Sequence, residues 1–596
     1  MAPSPWQPVA GATYVGTAAS TRFPVYTRGN AGEVYPDVVY PLTFSTAIAR
    51  AEQAWIDAMV DTGLFSHAEL AGEQAITSGV FGGYAYLNLS FARGGVRRLA
   101  GAQPADVDRT VFGLSDAPPY QQVRGDRSVR AALRGARWIA RSLRRPDREL
   151  RRLAIDERRV RAWERSVPPP ADAGTDRLRA ELQTGIELGA ELFRHHIHVT
   201  NQAGVPAAVV KLCREALGDE GLGLRLIAGL GEVASAAPSL ALWDLGRLVA
   251  ADPALTAHFD DGIAGLAARL RGDPAAVGFL ARFDTFLAEF GSRGPNEWES
   301  AADVWGTRPE LALTLIDRMR LADATHDPRR RHAALAADRD AARAELDRRA
   351  GPLVRLQVHL VLDRGSGYLQ GREQAKTTIV RAIGVVRLIL RELGRRSAAT
   401  ARAAGQPDAA DDDIWFVVED ELDRYLADPV AFAPAIAERR AMRRRLAERI
   451  PPFVFEGEPP PWEQWARRDD VAHGAPLAAG DELRGIGGAP GLARGRARVV
   501  TDPAQGDLEP GEVLVAPITD PAWTPLFVPA AAVVVDVGAV LSHAVIVARE
   551  LGIPAVVSAT GATRRLRDGD LIEVDGSRGV VTVLTPSDAT MPGGHT

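Results

Sequence analysis

Near residue 450 this chain of 596 residues changes its periodicity, and that change divides what it can fold into. Up to about residue 470 the pattern is helical, in long stretches rich in Ala, Leu, Arg and Glu. Two proline clusters, Pro451-Pro452 and Pro459-Pro460-Pro461, and a polar stretch through Gly480 then read as a linker over 451–481. Such a segment is a stiff spacer with pivots at its ends, and a plain connector has the same composition. Beyond it come short β-branched runs separated by glycine turns, the mark of strands. The pattern predicts a multidomain α plus α/β chain. A large mainly α-helical region takes up 1–470, a β/α domain 482–586 and a disordered tail 587–596.

One segment of the β/α region carries chemistry. Ala531 to Val535 is apolar throughout, a buried strand by composition. Ser542 suits a helix N-cap, His543 to Leu551 has helical spacing, and Gly552 stands where a C-cap glycine belongs. Ile553 to Val557 reads as the next strand. His543 is thereby predicted at a helix N-terminus, beside unbonded N–H groups and the positive end of the helix dipole. An imidazole there can accept a phosphoryl group, because the helix end stabilises the added negative charge. The plain alternative is a capped surface histidine.

Composition narrows the classes. A net charge of −5 gives no general attraction to nucleic acid or anionic membrane. The single cysteine, Cys213, excludes an internal disulfide framework and suits a reducing cytoplasm, the expected location. The first residues lack a basic and then apolar leader, and no run of about 18 apolar residues predicts a membrane span. Arg124 to Arg159 is arginine-rich, but Leu133, Trp138, Ile139 and Leu143 interleave with it, so it reads as an amphipathic helix with a solvated face and not as a nucleic-acid site. His195, His196 and His198 do not share one helix face and lack partners at zinc spacing; packing, surface and pocket roles stay open for them. Gly221, Gly223, Gly229 and Gly231 lie in a helical pattern and read as turn or close-packing glycines. No Gly-x-x-x-x-Gly-Lys-[Ser/Thr] phosphate loop occurs.

Val537 to His543, followed by Ala548-Arg549-Glu550-Leu551-Gly552-Ile553-Pro554-Ala555-Val556-Val557, resembles the phosphohistidine signature of the PEP-utilising enzymes' mobile domain. Leu483 to Val500, Gly511 to Pro517, Thr519 to Pro525, Asp568-Gly569-Asp570 and Glu573 to Val581 resemble the rest of that domain in order; Ala539 stands where the family often has glycine. Tyr26 to Pro36, Pro41 to Ser45, Phe290 to Glu297, and Asp412 to Phe416 with Glu421-Leu422 resemble the substrate-binding domain of rifampicin phosphotransferase-like proteins. The resemblance implies a helical substrate-binding domain followed by a swivelling phosphohistidine domain. It starts near residue 20, which leaves the expectation that a separate ATP-grasp subunit supplies ATP with Mg2+.

The same resemblance implies roles. His543 is the nucleophile and carrier, and Ser542 caps its helix and can bond the phosphorylated ring. Arg28 and Arg293, in matched glycine-bearing loops, are candidates for gripping the phosphoryl group, because a guanidinium pairs bidentately with phosphate oxygens. Glu33 and Glu297 are candidate general bases, and Glu297 the candidate Mg2+ ligand. By helical spacing alone, and not by the resemblance, Arg372, Glu373 and Lys376 form a charged helix face, either a phosphate-binding set or a solvated ion-pair stripe. The expected activity is transfer of a phosphoryl group through His543 to a small hydroxylated molecule in the helical domain. A non-catalytic ligand-binding or regulatory protein and a carrier charged by PEP-dependent machinery are the other readings.

Overall fold

The computed structural model describes residues 14–99, 103–114, 117–122, 125–126, 128–144, 147–202, 205–227, 237–323, 327–468, 474–501, 503, 508–519, 523–539 and 542–587; at a few of these, His543 among them, only the backbone is described. The expected tail, Gly229 and Gly231, and Asp520 to Ala522 fall mostly or wholly outside the described residues. The chain is mostly helical with a sheet-containing C-terminal region. Among the described residues no helix is long and apolar enough to cross a membrane.

The helical part is built around one helix, Pro352–Ala403, of 52 residues and therefore about 78 Å long. Its second half packs against the helix Thr175–Gln202, with Leu182, Ile186, Ile389, Leu390 and Leu393 in one apolar core. Ile414, Trp415 and Phe416 join that core, while Asp412 and Asp413 stay at its edge and pair with Arg440. The predicted Arg124–Arg159 helix is two helices, Val129–Arg144 and Asp147–Ser166. The first turns Ala131 and Gly135 inward and leaves Leu133 and Ile139 exposed. Close approach explains this: a Cβ at Gly135 would come 2.9 Å from Leu64, so the backbone itself packs and larger side chains face out. Gly223 behaves as read, its Cβ position lying 2.7 Å from the Cα of Val210.

The N-terminal region holds a sheet that the helical pattern does not disclose. Its strands β1 (Val25–Thr27), β2 (Ser78–Phe81), β3 (Tyr84–Asn88) and β4 (Val454–Glu456) run in the order β2-β3-β1-β4, all antiparallel. β4 comes from the segment expected to be linker. Phe455 stacks on Tyr26, and Trp465 packs on the β2–β3 turn where Gly82 leaves room. Arg468 is tied back to Glu448 and Ala447. At the other end, Gly474 and Leu477 donate to the carbonyls of Arg564 and Arg565 in the C-terminal domain. Both ends of the expected linker thus belong to folded parts.

The C-terminal sheet has eight strands: β5 (Glu482–Arg484), β6 (Ile486–Ala489), β7 (Leu492–Val499), β8 (Val513–Ala516), β9 (Ala532–Val535), β10 (Ala555–Val557), β11 (Leu571–Asp575) and β12 (Val580–Thr585). Their order is β5-β12-β11-β7-β8-β9-β10-β6, with β7 to β10 parallel and the flanks antiparallel. β9 is apolar at every position because both faces are covered, as parallel strands require. Ala532 and Val534 face one core, while Val533 and Val535 face another that runs on into the helices Ala237–Ala251 and Glu310–Leu321. Apolar packing is therefore continuous between these helices and the C-terminal domain.

Candidate functional site

The helix His543–Leu551 joins β9 to β10, with the limits read from the sequence. Gly552 ends it in the left-handed conformation at φ 64°, where a Cβ is disfavoured. Arg549 holds it to the sheet by donating to the carbonyl of Gly488 at 2.8 Å. The His543 side chain falls outside what is described, so its place is given by the helix N-terminus that it begins. Ser542 takes the extended N-cap backbone, but its hydroxyl makes no capping bond, contrary to expectation. The Oγ turns back toward Gly538 and is buried with no partner in the structure. A buried hydroxyl at the start of the histidine helix is left with its hydrogen-bonding capacity unused.

A cavity of about 240 Å³ opens between the helices Thr175–Gln202 and Pro352–Ala403 and the short helix Ala31–Val34. Its walls are mainly apolar and aromatic, with Trp55, Phe193 and Trp298 at its sides and His196 and Arg372 as polar members. Gly189 makes room, since a Cβ there would meet nothing within 4 Å. The three histidines separate by helix phase. His195 Nδ1 lies 2.6 Å from Asp156, and His198 Nε2 lies 2.9 Å from Asp61. His196 lines the cavity, its Nδ1 unpartnered in the structure. Burial, with Arg372 and Lys376 adding to it, pushes the pKa of His196 down to about 3, so the ring is neutral.

The remaining candidates take up defined places. Arg28 does not line the cavity; it is buried behind it, donating to the carbonyls of Ala85 at 2.8 Å and Pro36 at 2.9 Å, with Tyr84 and Tyr86 beneath its guanidinium. Burial lowers its pKa. Glu33 sits on the short helix whose Ala31 and Val34 line the cavity. Arg293 Nε lies 2.7 Å from Glu297 Oε2, and Lys376 Nζ lies 3.3 Å from Oε1. The face of Arg372, Glu373 and Lys376 is not a solvated stripe: Arg372 lines the cavity, Glu373 is buried, and the Lys376 side chain is 19% exposed against Glu297, itself 1% exposed. Next to it Trp298 reaches the cavity. The loop is fixed by Arg387, which donates to the carbonyls of Glu297, Glu299 and Ser300. Glu297 does not fit Mg2+, because both its oxygens already face cations. Among the described residues no group of three or more His, Cys, Asp or Glu comes together to hold a metal.

The two halves meet. Gly538, in the turn that leads to His543, lies against Gly113, two residues from the cavity-lining Val111. Ile518 approaches Gly32, whose neighbour Ala31 also lines the cavity.

With this geometry in place, similarity to known proteins can be set beside it. Residues 508–579 match the model of the PEP-utilising enzyme mobile domain, and residues 195–373 that of the rifampicin phosphotransferase fourth domain. Over these two stretches the chain is similar to the PEP-utilising enzymes. It is 37% identical over 367 residues to an uncharacterized protein of Mycobacterium tuberculosis, covering 58% of this chain and 38% of the other. It is 32% identical over 391 residues to the prodigiosin synthesizing transferase PigC of Serratia marcescens, covering 63% and 42%. It is 30% identical over 307 residues to a rifampicin phosphotransferase of Streptomyces sviceus, covering 51% and 34%. The matches span roughly two fifths or less of these relatives' own lengths.

Proposed function

We propose that the chain is a phosphotransferase subunit in which His543 carries a phosphoryl group to a small hydroxylated molecule in the cavity. A His543 ring nitrogen attacks the donor phosphorus, an N–P bond forming as the donor's O–P bond breaks. The acceptor hydroxyl oxygen then attacks, an O–P bond forming as the N–P bond breaks, and its proton can pass to the released imidazole. Such a transfer depends on positioning and charge neutralisation more than on strong base catalysis. Arg372 suits the neutralising part, and neutral His196 the holding of the acceptor hydroxyl. The donor in this reading is ATP with Mg2+ on a separate ATP-grasp chain, and the protein works in the cytoplasm.

The observation that supports the reading most is the contact of the turn leading to His543 with Gly113, two residues from the cavity-lining Val111, in the same chain. The aromatic lining favours a flat, aromatic acceptor, and rifampicin, after the name of one relative, is the first to try. The test mixes the protein with ATP, Mg2+ and a candidate ATP-grasp partner and looks for acid-labile phosphate by mass spectrometry. Label on His543 that is lost in His543→Ala supports the proposal. Absence of label with every partner would favour the ligand-binding reading instead, and label that survives His543→Ala would refute the carrier role.

A further inference from the structure

We infer that Ser558 is a positioning residue, a latch that holds the histidine domain against the acceptor cavity by sharing one proton between two carbonyls. Its purpose rests on the phosphotransfer reading, but its geometry does not. Ser558 follows β10 with φ 53°, one of four non-glycine residues with positive φ among those described. A glycine would sit there without strain, so a side chain kept at this position needs a reason. The reason is in its contacts. The hydroxyl is buried, with Oγ 2.6 Å from the carbonyl oxygen of Gly113 and 2.5 Å from that of Gly538. Gly113 belongs to the cavity-side loop of the helical part, and Gly538 to the turn that leads into His543.

One hydroxyl carries one proton, so with both carbonyls present the bond is shared. When the domain leaves, the proton stays with Gly538 and the Gly113 carbonyl turns to water. No buried donor is orphaned in either state. That matters because an unpaired buried donor is what makes most buried polar contacts hard to break. The latch therefore favours docking by about one hydrogen bond's worth, and release adds no further cost of an orphaned buried donor. Gly113 completes it at φ 66°: a Cβ there would lie 2.0 Å from the Gly538 oxygen and 2.8 Å from the Ser558 Oγ. Only a glycine allows the two backbones to approach so closely.

The experiment compares the full chain with Ser558→Gly, Ser558→Ala and Gly113→Ala, by hydrogen exchange over residues 107–114 and 536–546 and by small-angle scattering. One hydrogen bond of ordinary net worth shifts an equilibrium roughly five-fold, so exchange in both segments should rise about that much in the Ser558 variants. Gly113→Ala should produce the same pair of changes from the opposite side. Ser558→Gly should hold or raise the melting temperature, because the backbone strain goes with the side chain. Wild-type exchange in the 107–114 segment of Ser558→Gly would overturn the inference. So would a lowered melting temperature with that segment unchanged, since the serine would then serve only its own domain. Labelling of His543 by ATP is read separately: its failure in the wild type would remove the phosphotransfer reading, while exchange still decides for or against the latch.

Discussion

Replacing Glu297 by alanine separates a structural from a chemical role for the buried charge cluster at the cavity edge. Arg293 and Glu297 have side chains 4% and 1% exposed, and their contact is 2.7 Å. Lys376 adds a second cation 3.3 Å from the other carboxylate oxygen. Glu297→Ala strands the Arg293 charge in the interior, with Thr377 its other side-chain partner at 3.2 Å. Breaking a buried pair in this way costs about 3–5 kcal/mol, whereas removing both charges is often close to neutral. Urea unfolding followed through the fluorescence of the neighbouring Trp298 should show a loss of that size. Adding Arg293→Met should recover about 2 kcal/mol or more, because the stranded charge is gone. Lys376, partly exposed, can turn to water. A loss below about 1 kcal/mol in Glu297→Ala, or no recovery in the double variant, would refute the argument. Glu297→Gln that abolished transfer at an unchanged unfolding midpoint would instead make Glu297 the general base.

Two further expectations follow from single residues. His196 has its pKa pushed from 6.5 to about 3, so between those values the unfolded chain binds a proton that the folded one does not. Its stabilising contribution is complete above pH 6.5 and falls as pH drops toward 3. His196→Leu should flatten the wild-type loss of stability between pH 6 and 4 by about 1 kcal/mol per pH unit, read from urea midpoints; equal slopes would contradict it. Ser542→Ala should leave the melting temperature unchanged or slightly higher, because the hydroxyl it removes is buried and unpartnered. It should also shorten the lifetime of phosphorylated His543 in acid-labile phosphate assays. A stability loss above about 1 kcal/mol would mean that the hydroxyl caps the helix after all.

Local signals were legible where the chain decides its own structure over a few residues. The histidine helix, its glycine C-cap and the strands around it follow from a short apolar run, a turn and a helical spacing, all within 531–557. The N-terminal sheet was not legible, because β4 pairs with β1 from more than 400 residues away and its flanking prolines describe only a spacer. The histidine triplet shows the same limit. Helix phase separates the three rings, but Asp156 and Asp61, which claim His195 and His198 and leave His196 to the cavity, are distant in sequence. Arg28 and Arg293 looked like phosphate grips because both stand in glycine-bearing loops. Their partners, carbonyls for one and a buried carboxylate for the other, are set by packing alone.

The anchoring of both ends of the former linker sets the length of a tether. Arg468 is bound to the helical part and Gly474 to the histidine domain, six residues apart. Fully extended, that span reaches about 21 Å. A carrier of the kind proposed, on so short a leash, would meet the acceptor cavity at an effective concentration in the millimolar range or above, whatever the protein's bulk concentration. The same leash restricts where a donor can be met. On the proposed reading, a nucleotide-binding partner would have to meet the histidine where a domain hinged at Gly474 can carry it, or else peel Gly474 and Leu477 from the domain edge to lengthen the tether. Under the proposed phosphotransfer, encounter within the chain would be quick and charging selective, by geometry before any chemistry.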